Sequence, residues 1–255
     1  MRIPGRLAGL ASVMMASTIV LAGCAPEPEP PIPDTVFVYP PITGEWDGTE
    51  TIWRIPYVFD LDSPSSLTVI VNKRRPLSNK PYVPQNLVMP AGMLNPNGTP
   101  LRAEAAAALE TMSTAAKTSG ISLILASGYR SYDTQVAVYK SFVDSLGQAG
   151  ADTTSAKPGH SEHQLGLAAD IAAEGDSCYI MECFSETVAG KWVAANAWKY
   201  GFVLRYPNHL EGTTGYNFEP WHYRYVGLDL AKLMHDTGYP TLEDYLGFDP
   251  APDYK

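Results

Sequence analysis

Two stretches of this chain concentrate residues able to bind a metal and move a proton. The first is Pro158-Gly159-His160-Ser161-Glu162-His163-Gln164-Leu165-Gly166-Leu167-Ala168-Ala169-Asp170; the second, well downstream, is Glu219-Pro220-Trp221-His222-Tyr223-Arg224-Tyr225. Three of the chain's five histidines fall in them. A catalytic zinc takes three protein ligands and keeps a fourth position for water. His163, Asp170 and His222 would supply such a set, with N, O and N donors, and a water activated there could attack a carbonyl. Glu219 would be the general base for that water. Pro220 disfavours helix at Glu219, so Glu-Pro-Trp-His is expected to be extended, and a bend is needed before Glu219 and His222 can converge. Arg130, in Ser127-Gly128-Tyr129-Arg130-Ser131, could hold a carboxylate or a developing oxyanion. Gly166 and Ala168 are expected to let the backbone pass close to the metal.

Taken singly, each residue has a plainer reading. His163 and His222 could be structural histidines, Asp170 a turn cap, and Glu219 and Arg130 a surface acid and its ion-pair partner. Against this, an acid inside Leu167-Ala168-Ala169-Asp170-Ile171-Ala172 is costly to bury without a partner. His160 is expected beside the site or on a substrate loop, and His209 and His235 on the surface.

The elements that must position these groups can be read from pattern. Leu67–Asn72 reads as a buried strand, and a proline-rich loop follows to Pro90. Arg102–Lys117, rich in alanine, is a helix stopped by Gly120. Ile121–Ala126 is a strand, and Tyr132–Leu146 a helix with Gly147 after it. Ala168–Ala172 is a buried strand carrying Asp170. Ser185 is expected to cap a helix running to about Tyr200, with Gly201 as terminator. Phe202–Tyr206 and Trp221–Val226 are strands on either side of a loop, Pro207–Tyr216, and Leu228–His235 is a closing helix. Helices and strands intermix without a βαβ rhythm, so the expected class is α+β: a central, mainly antiparallel sheet flanked by helices, with the zinc site at the sheet.

The 255 residues carry a formal charge of −9, with 45% hydrophobic and 18% charged residues. That suits one sizeable domain, and the absence of a basic stripe argues against nucleic acid as a partner. Residues 1–23 combine Arg2 and Arg6 with an apolar run too short to span a bilayer comfortably, the shape of a secretory signal. Leu21-Ala22-Gly23-Cys24 resembles a bacterial lipobox, which implies cleavage and lipidation at Cys24 and a membrane-anchored lipoprotein facing the cell wall. The 24–35 stretch is a stiff, proline-rich linker. Residues 36–66, with Val36-Phe37-Val38-Tyr39 and Thr51-Ile52-Trp53, are expected to form a small β element ahead of a main domain spanning 67–248. Cys178 and Cys183 would form a disulfide in an exported protein, with free thiols or soft metal ligands as alternatives.

Three motifs in order carry a family resemblance. Ser127-Gly128-Tyr129-Arg130-Ser131 with Gln135, then Pro158-Gly159-x-Ser161-Glu162-His163-x-x-Gly166-x-Ala168-x-Asp170, then Glu219-Pro220-Trp221-His222 are similar to the zinc D-Ala-D-Ala carboxypeptidases of the VanY type. Lys199–Pro207 is a further similar stretch, and the likeness runs from about Leu67 to Gly227. It implies Zn2+ on His163, Asp170 and His222, Glu219 as catalytic base, Arg130 as transition-state or substrate clamp, and Gln135, Ser161 and Tyr206 as substrate-binding positions. Trp198 stands where many relatives carry histidine. The expected activity is release of a terminal D-alanine from peptidoglycan stem peptides by a monomer. L,D-carboxypeptidases acting on tetrapeptide stems share every motif and are the close alternative. A non-catalytic zinc-containing binding module would be expected to lack Glu219 or a ligand, and an endopeptidase would need a groove open on both sides of the bond.

Overall fold

The computed structural model describes residues 35–38, 57–77 and 81–254. The expected signal segment, Cys24, the linker up to Asp34 and Thr51-Ile52-Trp53 lie outside the described residues. Strands β1 (Thr35–Val38) and β2 (Tyr57–Asp60) form an antiparallel pair, as do the short β3 (Leu87–Val88) and β4 (Leu101–Arg102). Helix α1 (Ala103–Thr118) follows, then β5 (Leu123–Ser127), α2 (Tyr132–Thr154), β6 (Ala168–Ala173), α3 (Val188–Asn196) and β7 (Phe202–Leu204). Helix α4 (Glu211–Thr214), β8 (His222–Tyr225), α5 (Leu228–Thr237) and α6 (Leu242–Leu246) complete the order. The central sheet runs β5-β6-β8-β7 with every neighbouring pair antiparallel. The α+β reading, with an antiparallel sheet flanked by helices, therefore holds.

Strand alternation sorts the core from the chemistry. On β6, Ala169, Ile171 and Ala173 point into the apolar cluster formed with Ala105, Leu109, Met112 and Ala116 of α1. Those α1 positions recur at helical spacing, so one stripe of the helix is buried and the alanines let it lie close to the sheet. Asp170 consequently faces the other way, and the β6–β8 register sets it directly opposite His222. A register shift between Leu125 and Ser127 places Ser127 beside Asp170. A second apolar cluster joins Val203 and Val226 to Leu230 and Met234 of α5, Leu242 and Leu246 of α6, and Phe59, Leu61 and Ile70 from the N-terminal side.

Several expected elements need correction. Leu67–Asn72 is buried around Val69, Ile70 and Val71 but is not a strand. The Ile70 amide donates to Leu61 O at 3.0 Å, while the Leu67 and Val69 carbonyls accept from Arg224 Nη2 at 3.0 and 2.9 Å. A guanidinium thus takes the acceptors that a neighbouring strand would have used. Gly147 (φ 72°, ψ 171°) kinks α2 instead of ending it. The cap of α3 is Thr187, whose Oγ1 accepts from the Gly190 amide at 3.0 Å, and a separate 3-10 turn, Ala197–Tyr200, carries the chain to Gly201. A Cβ on Gly190 would lie 1.8 Å from Phe184 O, so close backbone approach demands glycine there. Helix α4 sits within the expected loop Pro207–Tyr216, and α6 was not expected.

Candidate active site

His163 lies in a 3-10 turn, Glu162–Leu165, that ends at Gly166 in the left-handed region. A Cβ on Gly166 would come within 3.2 Å of Arg102 N, so its glycine serves the turn and the contact with β4, not clearance around a metal. The His163 Nδ1–H donates to Gly128 O at 2.7 Å, which leaves the Nε2 lone pair exposed to the site. The Arg130 amide donates to His163 O at 3.1 Å, tying the first motif to the second. His222 opens β8, and its amide donates to Glu219 O at 3.0 Å. That closes a tight turn with Pro220 at its second position, the bend that Glu219 needs to reach the histidine.

The donor atoms converge. His163 Nε2 lies 3.3 Å from Asp170 Oδ2, His222 Nδ1 lies 3.1 Å from Asp170 Oδ1, and Glu219 Oε2 is 3.5 Å from His222 Nδ1. One ligand atom from each of His163, Asp170 and His222 falls within 4.8 Å of the others, and all three residues are buried. Tetrahedral ligands about 2.0–2.1 Å from a zinc would stand roughly 3.3 Å apart. Asp170 Oδ1 is buried with no hydrogen bond of acceptable geometry among the described residues. A buried carboxylate with one imidazole beside each of its oxygens is a donor set that fits a divalent cation.

Electrostatics separate the roles. Burial pushes the Asp170 carboxyl up, but its interactions with the His163 and His222 rings outweigh that and hold the group well below the usual range. Burial lowers His163 against the pull of Asp170, so this ring is neutral. For His222, burial is overcome by the Asp170 and Glu162 carboxylates beside its two ring nitrogens, and its pKa rises to about 9. Glu219 goes the other way for a carboxylate: burial, helped by Asp170 and opposed by His222, lifts it to about 8. Asp170 stays an anion while Glu219 can hold a proton near neutrality, a separation that would suit a ligand and a general acid–base.

These groups line one cavity of about 470 Å³ together with Arg130, Gln135, Ser161 and Tyr206. Arg130 Nη1 donates to Gln135 Oε1 at 2.8 Å, and its Nη2 donates to Ser127 Oγ at 3.1 Å. Gln135 is fully buried, and its amide nitrogen donates to Ala156 O at 2.7 Å and Ser155 Oγ at 3.2 Å. Both ends of the amide are engaged, so Gln135 orients the arginine. The Tyr206 ring centroid is 4.8 Å from that of His222. His160 is outside this lining; its Nδ1 pairs with Asn72 O at 2.9 Å and its ring meets Tyr254 edge-on. His209 and His235 are exposed, and His235 stacks on Trp198 at 3.8 Å between centroids. Cys178 and Cys183 are joined by a disulfide, with Cα atoms 5.5 Å apart. The short loop between them carries Ile180 into the cavity wall at φ 49°.

Sequence reasoning assigned no role to Tyr216, Trp221, Ile180, Val138 and Phe142, which also line the cavity. Trp221 was signalled by its place between Glu219 and His222; the others are lone apolar residues with no local signature. Glu162 was missed as well, though its position beside His163 was a signal. It is fully buried, and its Oε1 accepts from Arg205 Nε and Arg224 Nη1, each at 2.9 Å. Burial opposes ionisation of Glu162, but the two guanidiniums prevail and keep it an anion.

A fold with an antiparallel four-stranded sheet and a two-histidine, one-aspartate cluster on its face is that of a metallopeptidase domain. The family model described as VanY, D-alanyl-D-alanine carboxypeptidase, matches residues 98–228, and the chain belongs to that family. It is 42% identical over 203 residues to the putative carboxypeptidase YodJ of Bacillus subtilis strain 168, covering 78% of this chain and 70% of that protein. Among solved structures it is similar to the LdcB LD-carboxypeptidase, with TM-score 0.68 and 42% identity over 72% of this chain and 87% of the other. It also resembles a mutant of the vancomycin-resistance D,D-pentapeptidase VanY in complex with Zn(II), with TM-score 0.59 and 34% identity over 71% of this chain and 98% of the other.

Proposed function

We propose that this protein is a zinc carboxypeptidase that removes a C-terminal D-alanine from peptidoglycan stem peptides. The observation that carries this reading is the meeting of His163, Asp170 and His222 with Glu219 and Arg130 in one cavity. Zinc held by the first three would supply Lewis-acid polarisation of the scissile carbonyl and a more acidic water. Glu219, in the wall of that cavity, accepts the proton of the attacking water and returns it to the departing D-alanine amine. Arg130, braced by Gln135 and Ser127, grips the terminal carboxylate or the oxyanion as charge builds. Ser161 and Tyr206 line the space beside them and would bound the substrate.

The removed residue could be the fifth of a pentapeptide, a D,D cleavage, or the fourth of a tetrapeptide, an L,D cleavage. The family model supports the first; the likeness to the LdcB LD-carboxypeptidase supports the second. Purified pentapeptide and tetrapeptide muropeptides, incubated separately with and without a chelator, decide between them. Chelator-sensitive D-alanine release from the pentapeptide is the expected result, and release from the tetrapeptide alone would establish the L,D reading. Cleavage of neither after zinc is restored would sink both.

The same proposal places the protein outside the cytoplasm, tethered by a lipid on Cys24 and spaced from the membrane by the proline-rich linker. The Leu-Ala-Gly-Cys motif supports this. Among the described residues no helix is long and apolar enough to cross a membrane. Cys24→Ser should shift the protein from the membrane fraction to the soluble one; an unchanged distribution would refute the anchor.

A further inference from the structure

We infer that Glu162 is a positioning residue for His222: its carboxylate accepts the Nε2 proton of that ring and thereby directs Nδ1 to the metal. The inference rests on the metal site proposed above and concerns what stands behind it. Glu162 Oε2 and His222 Nε2 are both buried, neither has a hydrogen bond among the described residues, and they lie 3.7 Å apart. The other ring nitrogen, Nδ1, is the one beside Asp170 and Glu219. A short adjustment of either side chain closes the Glu162–His222 gap to hydrogen-bond length.

Neutralising two buried arginines explains only half of Glu162. Its Oε1 takes both the Arg205 and Arg224 donors, and that leaves Oε2 turned to the imidazole. Arg205 is also held by Glu243, at 2.9 Å from Nη1 and 2.6 Å from Nη2. Two carboxylates and two guanidiniums balance in charge, so a neutral His222 donating from Nε2 completes the cluster without surplus. A carboxylate that fixes the tautomer and orientation of a metal-binding imidazole sharpens its affinity for the metal, and losing such a partner costs about 10- to 100-fold.

The test compares zinc affinity, by competition with a chromogenic chelator, for the wild-type protein, Glu162→Gln and Glu243→Gln. Glu243→Gln disturbs the same arginine cluster without touching His222. Glu162→Gln is expected to bind zinc about 10- to 100-fold more weakly, with Glu243→Gln close to wild type. Equal affinity for all three, or equal loss in both variants, would overturn the inference; failure of the wild-type protein to bind zinc would instead overturn the metal site. Should Glu162→Gln fail to fold, nitrogen-15 NMR of zinc-loaded wild-type protein decides: a proton on Nε2 of His222 supports the inference, and a proton on Nδ1 refutes it.

Discussion

Zinc loading should be coupled to proton release, and the coupling can be worked from the site. Without metal, His222 has a pKa of about 9. At pH 7 the ring is therefore about 99% protonated, and expelling that proton costs about 3 kcal/mol, at roughly 1.4 kcal/mol per pH unit. His163, held neutral, contributes no proton. Glu219, at about 8, holds a second proton that a nearby dication would drive off. Apparent zinc affinity should then rise about 10- to 100-fold per pH unit between roughly pH 6 and 7.5, and flatten above about pH 9. Calorimetry in buffers of different ionisation heat should count between about one and two protons released at pH 7. The same pKa values set the stability of the metal-free protein. Both groups have folded values above their unfolded ones, so their contribution is complete below the unfolded pKa and is lost as pH rises through the folded one. Melting temperature of the metal-free protein should fall from about pH 4.5, where Glu219 begins to lose its contribution, most steeply between about pH 6.5 and 8, level off at about pH 9, and recover on adding zinc. An affinity independent of pH from 6 to 7.5, with no protons released, would refute the assignment of His222 as a ligand.

Glu219→Gln should keep zinc affinity within a few-fold and lose about 10²- to 10⁴-fold in kcat, measured as D-alanine release; retention of most of the rate would remove Glu219 as the base. Glu243→Ala leaves Arg205 with one carboxylate oxygen in a fully buried setting and should cost about 3–5 kcal/mol in denaturant unfolding, whereas a loss under 1 kcal/mol would mean that water or repacking replaces it. Gly190→Ala must displace the Phe184 carbonyl and should destabilise at the upper end of about 1–3 kcal/mol, seen as a lowered melting temperature; an unchanged midpoint would show that α3 and the preceding turn can part without strain.

The gathering of the site's residues was legible because its motifs are short and local in sequence. Asp170 is carried by a strand whose alternation could be read, and the Glu219–His222 bend follows from Pro220. What escaped was set by long-range partners. Leu67–Asn72 has a strand's composition, yet Arg224, far along the chain, takes its carbonyls. Glu162 received no role because Arg205 and Arg224 give no sign of convergence in sequence. Gln135 carries a substrate-binding expectation, but its amide is engaged by Arg130, Ser155 and Ala156, which only the kinked α2 and the following loop bring together. Gly147 marks a helix end by type, and the chain resumes the helix because Ala151 is buried on the far side of the kink.

The pairing of Arg224 with Leu67 and Val69, and of Arg205 with Glu243, has a consequence for where this protein can be cut. The family-matching segment, 98–228, contains both guanidiniums but omits Glu243 and the residue 67–69 carbonyls. A fragment trimmed to that segment would leave the two guanidiniums sharing the single Glu162 carboxylate, without Glu243 or the Leu67 and Val69 carbonyls, so the cooperative folding unit is longer than the segment that marks the family. Boundaries for an independently stable catalytic piece belong before Leu61, whose carbonyl receives the Ile70 amide, and after Ala251, whose amide is anchored on Thr213 O.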